Sequence, residues 1–597
     1  MLRRCLTQSC LSVESNAEMR VSMKKITGNK LFVRALQDEG VDVLFGYPGG
    51  YAIDIFDELY KQDIIDVILP RHEQGLIHAA DGYARATGKV GVCLVTSGPG
   101  ATNLVTGIAT ANYDSVPLVC FTGQVPRNLI GNDAFQEVDI VGITRNICKW
   151  SITVHNRDDL GRIIKEAFYI ARTGKPGPVV VDLPKDMMLE YGTPIYPNEV
   201  SIRGYKPISG VHIGQLKRGL RLLNKAKKPL FLAGGGVNIA QANDIFTKLV
   251  EITKVPVVST IMGKGAIPTN HPYFIGNMGM HGSYAANQAI SNCDVLFSIG
   301  TRFNDRITGK IEEFAPKAKI IHVDIDTASI SRNIHVDVPI VSDAKEFINK
   351  MLEYAQSVDT EEWVEQLNGW KEKYPLGMRK DKGITPEKII QAINHQFEQH
   401  IVVTDVGQHQ MWTTQYLEMK QGVKLLTSGG LGTMGYGLPA AIGAQIGEEN
   451  AHVICISGDG GIQMNIQELA TGVCQELPVI VCIFNNTHLG MVRQWQKLFY
   501  GKRYSSTCLR ARKSCKGHCM TDGYECPPYF PDFIKLAESY GVLGIRVEKE
   551  EDICNAFEQA KNNRNKPTVI EFMIHSDELV LPMVKGGNPL NKMIMNC

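Results

Sequence analysis

The chain has 597 residues, 44% of them apolar and 21% charged, with 57 Gly and 27 Pro. At about 100 to 200 residues per domain this composition fits roughly three or four folded domains, and it excludes a single small binding module and wholesale disorder. Lys and Arg number 63 against 62 Asp and Glu, a net charge of +1, which gives no general attraction to nucleic acid or to an anionic membrane surface and points to small-molecule ligands.

No apolar run approaches the roughly 18 residues of a membrane helix, and the longest, such as Val479 to Phe484, are strand-sized. Several of the 15 Cys (Cys93, Cys120, Cys455 and Cys482) lie inside apolar stretches, where they read as small buried hydrophobes in a reducing compartment rather than as a disulfide scaffold.

In chain order, residues 1–23 form an extension with Arg3, Arg4 and Arg20 but no apolar signal core, and Met23-Lys24-Lys25 is a second candidate start. Residues 24–190 alternate apolar runs with helical patterns, the expected strands being Val41–Phe45, Val90–Thr96, Leu118–Thr122 and Val179–Asp182. A linker fits at Pro194, Pro197 and Pro207. The middle block, 207–358, opens with Pro229–Ala233 running into Gly234-Gly235-Gly236 and continues through Val295–Gly300 and Ile320–Asp326; a polar helical segment follows from Asp359 to Lys382. The third block, 384–575, has expected strands at Ile401–Asp405, Val453–Ser457, Val479–Phe484 and Thr568–Phe572, a Cys-rich insert at 505–530, and a tail at 576–597. Such alternation predicts an α/β protein of three doubly wound parallel sheets. The first block laid on the third at a shift of 360 or 361 residues aligns Val95–Gly100 with Ile456–Gly460 and Pro117–Phe121 with Pro478–Cys482, a weak internal repeat.

The sharpest local motif is Gly458-Asp459-Gly460 after one strand, with Asn485-Asn486 ending the next, 27 positions separating Asp459 from Asn486. Both tips fall at the carboxyl edge of a parallel sheet, where α/β folds bind ligands. Glycines admit a phosphate, and a carboxylate with an amide oxygen suits a hard cation such as magnesium that also holds a diphosphate. Gly-Asp-Gly alone is a common turn; the paired Asn at this spacing makes the signal specific.

This pattern resembles the thiamine diphosphate enzymes, and over nearly all of Lys24 to Ile594 the chain resembles the catalytic large subunit of acetohydroxyacid synthase (acetolactate synthase). The matching stretches are Phe45-Gly46-Tyr47-Pro48-Gly49-Gly50, Arg71-His72-Glu73-Gln74, Ala134-Phe135-Gln136-Glu137, Gly279-Met280-His281-Gly282 and Gly407-Gln408-His409-Gln410-Met411-Trp412. The resemblance implies a pyrimidine-binding domain, a central FAD-binding domain and a diphosphate-binding domain. It implies that Glu73 hydrogen-bonds the cofactor's pyrimidine ring and favours its imino tautomer, a base beside the thiazolium carbon, although His72-Glu73 could otherwise be a solvated helix start. The implied reaction decarboxylates pyruvate and passes the two-carbon unit to a second pyruvate or to 2-ketobutyrate, giving 2-acetolactate or 2-aceto-2-hydroxybutyrate in valine, leucine and isoleucine biosynthesis.

The same resemblance places Asp459, Asn486 and the backbone oxygen of His488 on Mg2+, Met434 between the cofactor rings, and Gln408, His409, Gly458 and Gly460 at the diphosphate. It places Gly235, Gly236, His281, Arg302, Asp324 and Asp343 along FAD, although the full Gly-x-Gly-x-x-Gly fingerprint is absent. Gly50, Phe135, Gln136 and Lys185 join Glu73 at the reacting end, and Met280, Arg306, Met491, Val492 and Trp495 select substrate, Arg306 through the acceptor's carboxylate. Two departures stand out: Asn304 where the family usually has Asp, and Lys175 where Arg is common. The implied assembly is a homodimer or tetramer with a small regulatory subunit, in the cytoplasm or in a plastid if the source is photosynthetic.

The competing readings are a flavin-free catabolic acetolactate synthase, another thiamine diphosphate 2-keto acid decarboxylase, and a dead regulatory homologue. Arg306 and Trp495 argue against the first two, and the presence of Glu73, Asp459 and Asn486 against the third. Finally, Cys508, Cys515, Cys519 and Cys526, with His518 among them, are dense enough to hold a structural metal, but their spacings of six, three and six residues do not match the common zinc patterns, so a solvated insertion reads equally well.

Overall fold

A computed structural model describes residues 24–208, 210–377, 383–515, 526–529 and 531–596. The long apolar runs become parallel strands buried on both faces, as βαβ crossovers require. Alternate residues feed opposite cores: Val92 and Leu94 pack on one face of the first sheet and Cys93 and Val95 on the other, while Ile454 and Ile456 oppose Val453 and Cys455 in the third. Cys93, Cys120, Cys455 and Cys482 are all buried in these cores.

Each of three sheets has six parallel strands. The first runs Asp66–Ile68, Val43–Tyr47, Gly91–Val95, Leu118–Gln124, Val179–Pro184, Trp150–Thr153. The third runs Lys424–Thr427, His400–Thr404, His452–Gly458, Ile480–Asn485, Thr568–Met573, Leu543–Val547. With strands counted in chain order within each unit, the two orders are the same, so the repeat seen in sequence extends to topology. The middle sheet differs: Phe274–Asn277, Val257–Ser259, Pro229–Ala233, Val295–Ile299, Lys319–Asp324, Val338–Val341. That order, 3-2-1-4-5-6, is the dinucleotide-binding arrangement, with its switch point between Pro229–Ala233 and Val295–Ile299.

The polar segment after the middle sheet forms the helix Glu361–Lys373; residues 378–382 lie outside the described part. Residues 193–208 and 210–212 carry neither helix nor strand, consistent with the Pro-rich linker.

First and third units meet through equivalent helices, Glu73–Thr87 and Gly437–Gly447. Their backbones nearly touch. A Cβ on Gly82 would stand 2.0 Å from the Ala440 carbonyl oxygen, and one on Gly443 would stand 1.8 Å from that of Ala79. Beside this crossing a buried ionic network ties the units: Arg85 donates to Asp81 (2.7 Å), Asp114 (2.9 Å) and the Thr427 carbonyl (2.8 Å), and the Tyr436 hydroxyl donates to Asp81 (2.7 Å).

After the last strand of the third sheet, residues 576–596 form a strap from the third unit to the middle one, with Met583–Val584 and Met593–Ile594 paired as a short antiparallel ribbon. The Val580 amide donates to Gln494 (2.8 Å), the Val584 amide to the Met280 carbonyl (2.8 Å), and Leu590 lies in a core of the middle sheet. Among the described residues no helix is long and apolar enough to cross a membrane.

Candidate active site

Three clusters of the expected residues form at the carboxyl edges of the three sheets. In the first unit, Glu73 begins its helix directly after His72, whose Nδ1 accepts from the Gln74 amide (3.1 Å). A carboxylate in the first turn is favoured by the helix dipole. Its Oε2 accepts from Asn103 Nδ2 at 3.0 Å. Gly98 (φ 57°) makes the turn that carries Gly100 towards it; a Cβ there would lie 2.9 Å from the Gln136 carbonyl oxygen, and Gln136 itself has φ 60°. Lys185 donates to the Gly50 carbonyl (3.0 Å) and pairs with Asp54 (3.3 Å). Phe135 is 79% exposed.

In the third unit, Asp459 starts the turn after Gly458 and is buried, one oxygen accepting from the Gly460 amide (3.1 Å) and the other, Oδ2, with no partner. Burial raises its pKa to about 8, opposed by the Gly460 and Thr487 amides. Asn486 donates to Gln408 Oε1 (3.2 Å) and accepts from the His488 amide (3.0 Å), while the His488 ring turns back to the Asn486 carbonyl (2.8 Å). The His409 ring lies 3.0 Å from where a Cβ of Gly458 would be; it is buried with Nε2 unpartnered, and burial lowers its pKa to about 3, so it is neutral. Gln408 spends its amide donors on Gln494 (2.9 Å) and the Glu578 carbonyl (3.0 Å), and so links the Asn486 turn to the strap. Met434 reaches to 3.9 Å from a Cβ position on Gly460. The unpartnered Asp459 Oδ2 fits a cation, and the unpartnered His409 Nε2, in the tautomer that carries its proton there, can donate to an anionic oxygen, as a metal-bound diphosphate would supply.

The middle unit holds a cavity of about 280 Å³ at its topological switch point, lined by Gly235, Gly236, Arg302, Asn304, Asp324 and Asp343 among others. Here the strand-ending glycines are needed for contact: a Cβ on Gly234 would stand 2.1 Å from the Gly300 carbonyl oxygen. Asp343 also caps its own helix, accepting from the Lys345 (2.8 Å) and Glu346 (3.1 Å) amides. A second cavity, about 1380 Å³, adjoins the first through Lys175, Tyr113, Arg302 and Asn304. It gathers Met280, His281, Arg306, Met491, Val492 and Trp495 with Gly407 and Gln410. Glu73, Gly50, Phe135, Gln136 and Lys185 are not among its lining residues. Lys175, Arg302, Arg306, Arg332 and Arg503 make its wall basic, which suits carboxylate and phosphate ligands. Asn304 keeps a buried, unpartnered Oδ1, and Lys175 pairs with Asp326 (3.3 Å). An elongated cavity at a dinucleotide switch point, continuing into a wide basic pocket, fits a flavin dinucleotide in extent and chemistry.

Residues 26–143, 216–351 and 405–572 match the family models of the thiamine pyrophosphate enzyme N-terminal TPP-binding, central and C-terminal TPP-binding domains. The acetolactate synthase large subunit of Corynebacterium glutamicum is 44% identical over 573 residues, covering 95% of this chain and 89% of the relative. The chain belongs to the acetolactate synthase large-subunit family. The Haemophilus influenzae member is 42% identical (96% and 99% covered), and that of Pyropia yezoensis 44% identical (97% and 96% covered). Within this acetolactate synthase framework, the first cluster (Lys185 apart) and the third fall in the residues matched by the two TPP-binding domain models, and the switch-point cavity is walled by the central domain together with Tyr113, Lys175 and Gly429 of its neighbours.

Sequence reading missed Asn103, Asp405, Gly300 and Glu468. Asp405 is buried, and its carboxylate accepts from the amides of Val406 (2.7 Å), Gly435 (3.0 Å) and Gly437 (3.1 Å), so it fixes the turn that carries Met434. Its place directly after a strand was a usable signal; the partners of Asn103 and Glu468 are set only by tertiary packing. Among the described residues no group of three or more His, Cys, Asp or Glu is arranged to hold a metal. Cys519 and His518 lie outside the described residues. Thr507–Leu509 pairs with Thr487–Leu489, so the insert begins beside the Asn486 turn.

Proposed function

We propose that this chain is the catalytic subunit of a biosynthetic acetolactate synthase that joins the two-carbon unit of pyruvate to a second pyruvate or to 2-ketobutyrate. The observation that carries this reading is the pair of unpartnered buried polar atoms, Asp459 Oδ2 and His409 Nε2, on the carboxyl edge of one unit, while its topological twin presents Glu73 at the same edge. Thiamine diphosphate, when bound, supplies the carbon nucleophile and the electron sink for decarboxylation and carbon–carbon bond formation. Asp459, Asn486 and the His488 carbonyl would hold Mg2+; Gly458, Gly460, Gln408 and His409 would border the diphosphate; Met434 would support the cofactor rings from a turn that Asp405 fixes. Glu73 would hold and release a proton facing the cofactor's pyrimidine ring, and Asn103, donating to Oε2, keeps its carboxylate aimed. FAD would lie in the joined cavities along Gly235, Gly236, Asp324, Asp343, Arg302 and His281.

Arg306 Nη1 stands 4.0 Å from Met280 Sδ in the basic cavity, and there it receives the carboxylate of the acceptor keto acid, with Met491, Val492 and Trp495 shaping the space for its alkyl group. Gly50, Phe135, Gln136 and Lys185 complete the reacting end from the first unit. Membership of the acetolactate synthase family supports a homodimer in which the working site pairs the first unit of one protomer with the third unit of its partner. The "large subunit" names of the relatives support a small regulatory partner. The deciding experiment follows acetolactate formation from pyruvate with thiamine diphosphate, Mg2+ and FAD each omitted in turn, and records the flavin band at about 450 nm of the purified protein. Formation that needs all three supports the proposal. Decarboxylation to acetaldehyde without carboligation, or turnover by protein lacking the flavin band, overturns it.

A further inference from the structure

The turn that presents Glu73 is gripped by a carboxylate almost four hundred residues away. Glu468, 1% exposed, accepts from the Arg71 amide with both oxygens (3.0 and 3.1 Å), from the His72 amide with Oε1 (3.1 Å) and from the Thr471 hydroxyl with Oε2 (2.6 Å). Arg71 and His72 precede the helix, so their amides have no place in its ladder. The Arg71 side chain turns elsewhere, to the Leu69 carbonyl (2.5 Å) and Cys474 Sγ (3.1 Å). The fit leaves no slack: a Cβ on Gly75 would stand 2.4 Å from Glu468 Oε1. Burying a carboxylate is costly unless its lone pairs are filled, and here all the donors come from one turn of the first unit and one threonine.

We infer that Glu468 is a positioning residue for Glu73, clamping the Arg71–His72 peptides so that the Glu73 carboxylate leaves the helix start towards Asn103. The inference rests on the reading of Glu73 as the group that exchanges a proton with the cofactor. Glu468 does not touch the reacting atoms; it acts through the backbone it holds. A glutamine keeps the Oε1 contacts to both amides and can donate its NH2 to the Thr471 hydroxyl, giving up only the second contact of the Arg71 amide. Alanine cannot, and Gly75→Ala should displace the carboxylate with no change at residue 468.

The test uses the full chain reconstituted with thiamine diphosphate, Mg2+ and FAD. Three quantities are followed: exchange of the cofactor's thiazolium C–H with deuterated water, read by NMR after acid quench; amide hydrogen exchange over residues 69–74; and the melting temperature. In Glu468→Ala and in Gly75→Ala, thiazolium exchange should slow on the order of a hundredfold, as expected for an acid–base group displaced by about an ångström. Protection of the Arg71 and His72 amides should be lost in both variants, while Glu468→Gln keeps both properties near wild type. Wild-type thiazolium exchange in Glu468→Ala, or equal loss in the Ala and Gln variants, overturns the proposal. Should Glu468→Ala fail to fold, Gly75→Ala and Glu468→Gln carry the comparison. Glu73→Gln serves as the control: if it leaves thiazolium exchange unchanged, the reading of Glu73 itself has failed, whatever the clamp does.

Discussion

Asp459 is asked to stay charged where charge is disfavoured. Burial lifts its pKa from 3.8 to about 8, and a carboxyl raised on folding stabilises the folded state at low pH and loses that contribution as pH rises through its folded pKa. Metal-free protein should therefore lose thermal stability between about pH 4 and about pH 8, and Mg2+, which favours the charged form, should remove most of that slope. Melting curves with and without Mg2+ check this, and Asp459→Asn should lessen the metal-free slope, the part due to buried Asp182, raised to about 6, remaining. Glu73→Gln should keep the fold and lose most turnover, on the order of a hundredfold or more, since an amide cannot take up the proton; steady-state rates beside an unchanged melting temperature would show it. Trp495 packs edge-on to Phe499 and borders the Gly586 stretch of the strap. Trp495→Leu should lower the preference for 2-ketobutyrate while acetolactate still forms, as read from the product ratio with both acceptors present. At this scale the sequence was most legible where a motif sits on a strand tip, as with Asp459 and Asn486, whereas Glu73, opening a helix after Asp66–Ile68, stood out only through the family match. It was silent on Asn103 and Glu468, because a hydrogen-bond partner hundreds of residues away leaves no local pattern.

Glycines set the closest approaches between elements. Gly82→Ala or Gly443→Ala would force a methyl into a facing carbonyl across the helix crossing, and each should destabilise the protein by about 1–3 kcal/mol or more, measurable by denaturant unfolding. Gly234→Ala acts differently, since its methyl would push Gly300 out of the dinucleotide crevice; the purified variant should lose flavin absorbance before it loses secondary structure. Element boundaries explain what the sequence reading found and what it missed. Interior strands such as Leu118–Gln124 and Ile480–Asn485 were visible because burial on both faces requires unbroken apolar runs. In the three six-stranded sheets, nearly all the strands left unassigned (Asp66–Ile68, Trp150–Thr153, Phe274–Asn277, Val338–Val341, Lys424–Thr427 and Leu543–Val547) are sheet edges, short and partly exposed. Val257–Ser259 is interior but only three residues long.

At the scale of the whole molecule, a site shared between protomers predicts complementation. Glu73→Gln and Asp459→Asn chains, each inactive alone, should on co-refolding give mixed dimers with one intact site, recovering about a quarter of wild-type activity if pairing is random. No recovery would place both residues' site within one chain. The twin topology of the first and third sheets was legible in outline from the aligned strand–turn motifs, whereas the joining of the cavities and the path of the strap depend on packing that no repeat encodes. The helix crossing also bears on how the protein is made. The glycine-lined face of Glu73–Thr87 leaves the ribosome roughly 350 residues before Gly437–Gly447 can cover it, an interval on the order of 20 to 70 s at translation rates of about 5–20 residues per second. For that time the first unit must stand with a groove fitted to a helix not yet synthesised, and a chaperone or the crossing helix of a finished chain could occupy it first.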